Sequence, residues 1–181
     1  SGKTEVYIHL IKEVIDFGKQ VLFLVPEIAL TTHLVARLKH AFGDLVGVYH
    51  SRFGMHERAE LWIDVNRNHR FPIIIGARSS VFLPFNNLGL IIVDEEHDSS
   101  FKQKDPSPRY QARDVAVFMG YHYNSPVLLG TATPSLESVY NVNKGKYGKC
   151  SLKERFGGYR FPTIDIVDIS HAYKRRRMNG H

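Results

Sequence analysis

Short apolar runs recur along the chain at residues 21–25, 45–49, 73–75, 90–93 and 127–129. Each run is continuous rather than alternating, as in strands covered on both faces. Between them, apolar positions recur at helical spacing over residues 4–17, 30–42, 56–66, 112–121 and 135–142. In the first of these, Val6, Leu10, Val14 and Phe17 are predicted to form one buried stripe. Gly18 and Gly43 fall where helix C-terminal caps are expected. Residues 150–152 and 164–169 are expected to add short strands. Strand–helix alternation through residue 142 predicts an α/β fold, a parallel sheet between helices. Ligands in such sheets collect at the carboxyl ends of the strands.

Those strand ends carry the chemistry. They read Pro26-Glu27-Ile28, Gly76-Ala77-Arg78-Ser79-Ser80, Asp94-Glu95-Glu96-His97 and Gly130-Thr131-Ala132-Thr133-Pro134. The chain opens Ser1-Gly2-Lys3-Thr4 directly before a predicted helix, the second half of a phosphate loop. In such a loop the helix N-terminus binds phosphate, the lysine reaches the β- and γ-phosphates and the hydroxyl ligates Mg²⁺. An aspartate closing an apolar strand, here Asp94, is the residue type that supports Mg²⁺, and the next carboxylate, Glu95, is placed to activate water. Without the phosphate-loop half, the acids would read equally well as a solvated turn.

Composition sharpens the partner more than the fold. Residues 1–100 carry ten basic and twelve acidic side chains, residues 101–181 fourteen and six. This asymmetry points to a polyanion on one part of the surface, whereas the run Lys174-Arg175-Arg176-Arg177 reads as a solvated tail. Phe101, Lys102, Lys104, Arg109, Tyr110 and Arg113 interleave aromatics and cations in a segment too rich in proline to be helical. Aromatics stack on bases and cations take phosphates, the usual means of sequence-tolerant single-strand binding. The single Cys150 excludes an intrachain disulfide and a cysteine-built metal site, and fits a reducing, cytoplasmic setting. The ten histidines show no ligand-spaced pair, and no run approaches the ~20 apolar residues of a membrane span, so no membrane contact is expected.

Taken in order, Gly2-Lys3-Thr4, Asp94-Glu95-Glu96-His97 and Gly130-Thr131-Ala132-Thr133-Pro134 resemble motifs I, II and III of superfamily 2 helicases with a DEAH-type box. The longer strings around residues 1–7, 25–31, 94–103 and 109–114 resemble the primosomal protein N′ family of replication-restart helicases. The resemblance implies a three-layer αβα RecA-like P-loop NTPase domain with a mostly parallel sheet. Residues 1–145 would be the first helicase lobe, and 146–181 an extension towards a second. It implies ATP and Mg²⁺ as cofactors, with zinc only in another part of the full-length protein. Ser1, Gly2, Lys3 and Thr4 would bind nucleotide, Thr4 and Asp94 the metal, and Lys3, Asp94 and Glu95 would be catalytic. His97, Thr131 and Thr133 would couple nucleotide state to DNA grip. Pro26, Glu27, Arg78 and Ser79 would touch the DNA backbone, beside Phe101, Lys102, Lys104, Arg109, Tyr110 and Arg113. His50-Ser51-Arg52, after another strand end, is a weaker candidate for that surface. The implied partners are single-stranded and forked DNA, with primosome and single-strand-binding proteins. The family's phosphate loop has further residues before Ser1 and its motor a second lobe, so this chain alone is expected to hydrolyse little ATP. The alternatives are a lobe of another superfamily 2 translocase, RecG-like, or a non-catalytic nucleic-acid-binding module.

Overall fold

The computed structural model describes residues 2–31, 33–50, 53–67 and 70–152. Helix α1 (Lys3–Asp16) leads into strand β1 (Gln20–Leu24), and α2 (His33–Phe42) into β2 (Val46–Tyr49). Helix α3 (Met55–Arg67) precedes β3 (Ile73–Gly76), which is followed by β4 (Leu88–Asp94). A small antiparallel hairpin, β5 (Lys102–Gln103) and β6 (Tyr110–Gln111), runs directly into α4 (Ala112–His122). Strand β7 (Val127–Gly130) and α5 (Leu136–Asn143) complete the described elements. The large sheet has the order β2-β3-β1-β4-β7, and each of its pairings is parallel.

Strand alternation sorts the core into two layers. Val21, Phe23, Ile73, Ile75, Leu90 and Ile92 face Tyr7 and Ile11 of α1 and Leu38 of α2. Leu22, Leu24, Ile74, Ile91 and Val93 face Leu61 and Val65 of α3 and Ala112, Ala116 and Met119 of α4. Every β1 residue is buried, which is why the apolar run is continuous. Gly18 and Gly43 take φ of 68° and 57°, the left-handed conformation of a helix C-terminal cap that glycine adopts without strain.

Three expectations are corrected. The buried stripe of α1 centres on Tyr7 and Ile11, while Val6 is 40% exposed and Phe17 83%. The sheet lies slightly round the helix from the predicted line, so the polar-tipped Tyr7 faces inward with its hydroxyl towards the strand ends. Helix α2 starts at His33 rather than Leu30, because Glu27–Thr31 forms a separate 3-10 turn beyond β1. Residues 150–152 form no strand. The predicted strand at 164–169 and the basic run at 174–177 lie outside the described residues, as do Ser1, Ser51 and Arg52.

Candidate active site

The site is assembled at the carboxyl end of the sheet by two facts of register. Helix α1 begins at Lys3, and no side chain caps its N-terminus at Gly2, so no capping side chain occupies its first amides. Asp94, the last residue of β4, pairs with Gly130, the last of β7. The first predicted motif thus meets the second and third in space.

Lys3 bridges both carboxylates: its Nζ lies 2.7 Å from Glu95 Oε1 and 3.2 Å from Asp94 Oδ1. Burial disfavours the ammonium, but the hydrogen bond to Glu95 and the charge of Asp94 outweigh it, so the lysine pKa is raised. Tyr7, one turn along α1, donates its phenolic hydrogen to Asp94 Oδ1 at 2.9 Å. Burial and the Asp94 charge push that phenol far up, keeping it a protonated donor. A Cβ at Gly130 would overlap the Tyr7 hydroxyl, so the approach of the two elements requires glycine there.

After Asp94 the chain turns sharply. Glu95 has φ of 51°, an uncommon value for a residue with a side chain. The Glu96 amide donates to the Gly130 carbonyl at 3.1 Å and the Asp98 amide to the Glu95 carbonyl at 2.8 Å. His97 then reaches the segment after β7, with Nδ1 2.8 Å from Thr131 Oγ1 and Nε2 3.3 Å from Thr133 Oγ1. His97 Nδ1 is also 3.7 Å from Glu95 Oε2. The three predicted coupling residues therefore form one contact with the water-activating candidate at its edge.

The predicted DNA-facing set divides. Lys102, Lys104 and Arg109 are exposed around the hairpin, whose loop is closed by the Gln103 side chain donating to the carbonyls of Pro106 and Pro108 at 2.9 and 3.0 Å. Glu27 is exposed in the turn after β1, whereas Pro26 is buried. Arg78 and Ser79 are half-buried in the turn after β3, with Arg78 donating to the Ser100 carbonyl at 3.3 Å. Tyr110 is half-buried and meets Phe82 edge to face at 4.9 Å.

Two members of that set are core residues. Phe101 has no exposed surface and packs with Leu22, Ile91 and Ala112, so no base can stack on it in this conformation. Arg113 is turned inward, its Nη1 3.1 Å from Glu96 Oε2 and 2.8 Å from Ser135 Oγ. Glu96 itself is fully buried, and its Oε1 accepts the Ser135 amide at 2.7 Å. Sequence reasoning missed Glu96 and Tyr7 as site residues. The signals were a third acid where two suffice, and a tyrosine one helical turn after the lysine.

A three-layer parallel α/β domain with a lysine at a helix N-terminus facing two strand-end carboxylates is the RecA-like helicase fold, and solved helicase-related domains share it. RecG bound to a three-way DNA junction superposes with TM-score 0.56 at 22% identity, over 81% of this chain and 18% of that one. The C-terminal domain of the DEAD-box protein Dbp5 gives 0.52 at 15% identity, over 81% of each chain. At these identities the likeness is one of fold. The chain belongs to the DEAD/DEAH box helicase family, whose model matches residues 1–142. It is similar to the replication restart protein PriA of Bacillus subtilis, 45% identical over 93% of this chain and 21% of that protein. PriA of Haemophilus influenzae is 50% identical over 94% of this chain and 23% of its own length. The chain thus spans between a fifth and a quarter of the length of these relatives.

Proposed function

We propose that this chain is the ATP- and DNA-binding first lobe of an ATP-dependent DNA helicase that acts in replication restart. The observation that carries the reading is the Lys3 ammonium held between Asp94 and Glu95 at the N-terminus of α1. The similarity to PriA proteins along nearly the whole chain supports the restart assignment. Residues 1–145 make up the lobe and 146–181 an extension towards a second one. The alternative of a binding module that merely retains the fold leaves the contact among Lys3, Asp94 and Glu95 without a purpose.

The residues present fit Mg²⁺·ATP. Asp94 and the Thr4 hydroxyl are hard oxygen donors. Among the described residues no cluster of three or more His, Cys, Asp or Glu forms a metal cage. That suits Mg²⁺, which keeps several waters and phosphate oxygens as ligands. Bound there, Mg²⁺·ATP supplies the phosphoanhydride bond and the charge that polarises it. Gly2 and the first α1 amides receive phosphate oxygens, and Ser1 lies next to them in sequence. Lys3 neutralises charge developing on the β- and γ-phosphates. Asp94, fixed by Tyr7, supports the metal, and Glu95 orients a water and accepts its proton. His97, Thr131 and Thr133 convey nucleotide state to the DNA surface.

That surface runs from Glu27 past Arg78 and Ser79 to Lys102, Lys104, Arg109 and Tyr110. Phosphate contacts there would hold single-stranded and forked DNA without reading its sequence. Primosome and single-strand-binding proteins are its further partners, and its setting is the cytoplasm. Alone, the lobe turns over little ATP, since a second lobe supplies the arginines that stabilise the transition state.

The test is ATP hydrolysis by the full-length protein with and without single-stranded DNA, comparing wild type with Glu95→Gln, and ATP binding comparing wild type with Lys3→Ala. Glu95→Gln should keep ATP binding and lose DNA-stimulated turnover, and Lys3→Ala should lose binding. Undiminished turnover in Glu95→Gln, or binding indifferent to Lys3→Ala, overturns the reading.

A further inference from the structure

The buried acid that follows Glu95 does no work in the scheme above, yet its side chain accepts three hydrogen bonds. Glu96 has no exposed surface. Its Oε1 accepts the Ser135 amide at 2.7 Å, and its Oε2 accepts the Ser135 hydroxyl at 2.9 Å and Arg113 Nη1 at 3.1 Å. Burial works against the carboxylate, but the Ser135 amide and hydroxyl and Arg113 override it, so its pKa is lowered and the charge persists. Buried ion pairs contribute little net stability compared with apolar packing, so the retention of one beside a catalytic residue asks for a reason.

The position of each partner supplies one. Glu96 is the chain neighbour of Glu95, whose left-handed backbone persists only where its surroundings hold it. On one side Asp94 is locked to Gly130 by the sheet, and on the other the Glu96 side chain is anchored to Ser135. Ser135 is the N-cap of α5 and ends the segment that carries Thr131 and Thr133. Arg113 is the second residue of α4, which begins directly after β6 of the basic hairpin. A shift of the hairpin therefore moves the N-terminus of α4, and with it the guanidinium that grips Glu96.

We propose that Arg113 and Glu96 are positioning residues: the buried pair holds the turn from which Glu95 works and carries to it the displacement of the basic hairpin when DNA binds. This rests on the helicase reading above and deepens it. Neither side chain needs to touch nucleotide or DNA.

The experiment uses the full-length protein and oligothymidylate as the DNA probe. Steady-state ATP hydrolysis, with and without DNA, DNA affinity and Tm are measured for wild type, Glu96→Gln, Arg113→Lys and the double variant Glu96→Gln/Arg113→Gln. DNA affinity and the KM for ATP should stay within about twofold, while DNA-stimulated kcat falls about tenfold or more, as for loss of other groups that orient a catalytic residue. Stimulated turnover should fall more than basal turnover, so their ratio collapses. The double variant leaves no unpaired buried charge, and should regain Tm without regaining stimulation. Stimulation retained in the single variants, or restored together with Tm in the double variant, overturns the proposal and leaves the pair purely structural. Absence of DNA-stimulated hydrolysis in the wild type overturns the helicase reading beneath it instead.

Discussion

Replacing Gly130 by alanine places a methyl group where the Tyr7 hydroxyl lies, and the cost should depend on whether that hydroxyl is present. In the wild type the added Cβ overlaps the Tyr7 oxygen, with Cζ at 3.0 Å and Asp94 Oδ1 at 3.3 Å. The phenol has little room to retreat, since Tyr7 is 2% exposed and its ring packs edge-on against Phe23 at 5.3 Å. Gly130→Ala must therefore break the 2.9 Å bond to Asp94 as well as overpack the core. Hydrogen bonds to charged groups are worth about 1.5–3 kcal/mol. The lower end applies here, because Asp94 keeps Lys3 at 3.2 Å. Overpacking adds about 1–3 kcal/mol, so Gly130→Ala should cost about 2.5–4.5 kcal/mol.

Tyr7→Phe alone should cost about 1.5 kcal/mol, the lost hydrogen bond with the ring retained. In the double variant that bond is lost once rather than twice, and the nearest atom is a ring carbon that needs to yield only slightly. Its total should be about 2–3 kcal/mol, against about 5 if the changes were independent. Urea denaturation resolves the difference: at m of about 1–3 kcal/mol/M, 2 kcal/mol moves the midpoint by roughly 1 M. A double variant as unstable as the sum of the single ones would refute the claim that Tyr7, Asp94 and Gly130 form one packed unit.

Three other outcomes follow from the same structure. Phe101→Ala should lose about 3–5 kcal/mol of stability as a core deletion, measured by urea unfolding; near-normal stability with a selective loss of DNA binding would mean that Phe101 emerges from the core. Neutralising Lys102, Lys104 and Arg109 together should flatten the plot of log affinity for single-stranded DNA against log salt by about 2, at roughly 0.7 per phosphate contact; an unchanged slope removes the hairpin from the interface. Because the folded-state pKa of Glu96 is lowered, its stabilisation is complete above the ordinary glutamate value of 4.5 and is lost as pH falls through the folded value. The wild-type urea midpoint should therefore drop more on acidification below that value than the midpoint of Glu96→Gln, and parallel acid profiles would contradict the assigned charge.

Much of this protein is decided locally. Continuous apolar runs become strands buried on both faces, and the spacing between them leaves room for the covering helices, so layer order and strand ends are legible along the chain. The residues proposed to face phosphate and water, Lys3, Asp94 and Glu95, are legible for the same reason: a helix start and a strand end are where such side chains can reach a ligand. The orientation of a helix about its own axis is different, because it depends on the sheet beneath it. Val6 and Tyr7 are neighbours, and only packing against Phe23 and Gly130 decides that Tyr7 is the one turned inward. The fate of the cation- and aromatic-rich segment depends likewise on partners distant in sequence. Phe101 looks like a stacking platform until the core takes it, and Arg113 looks like a phosphate contact until Glu96 and Ser135 engage it. A polar or aromatic side chain carries no local mark of whether it will meet solvent or a buried partner. That choice is made by the free energy of desolvation against the contacts on offer, and those contacts exist only once the strands are in register.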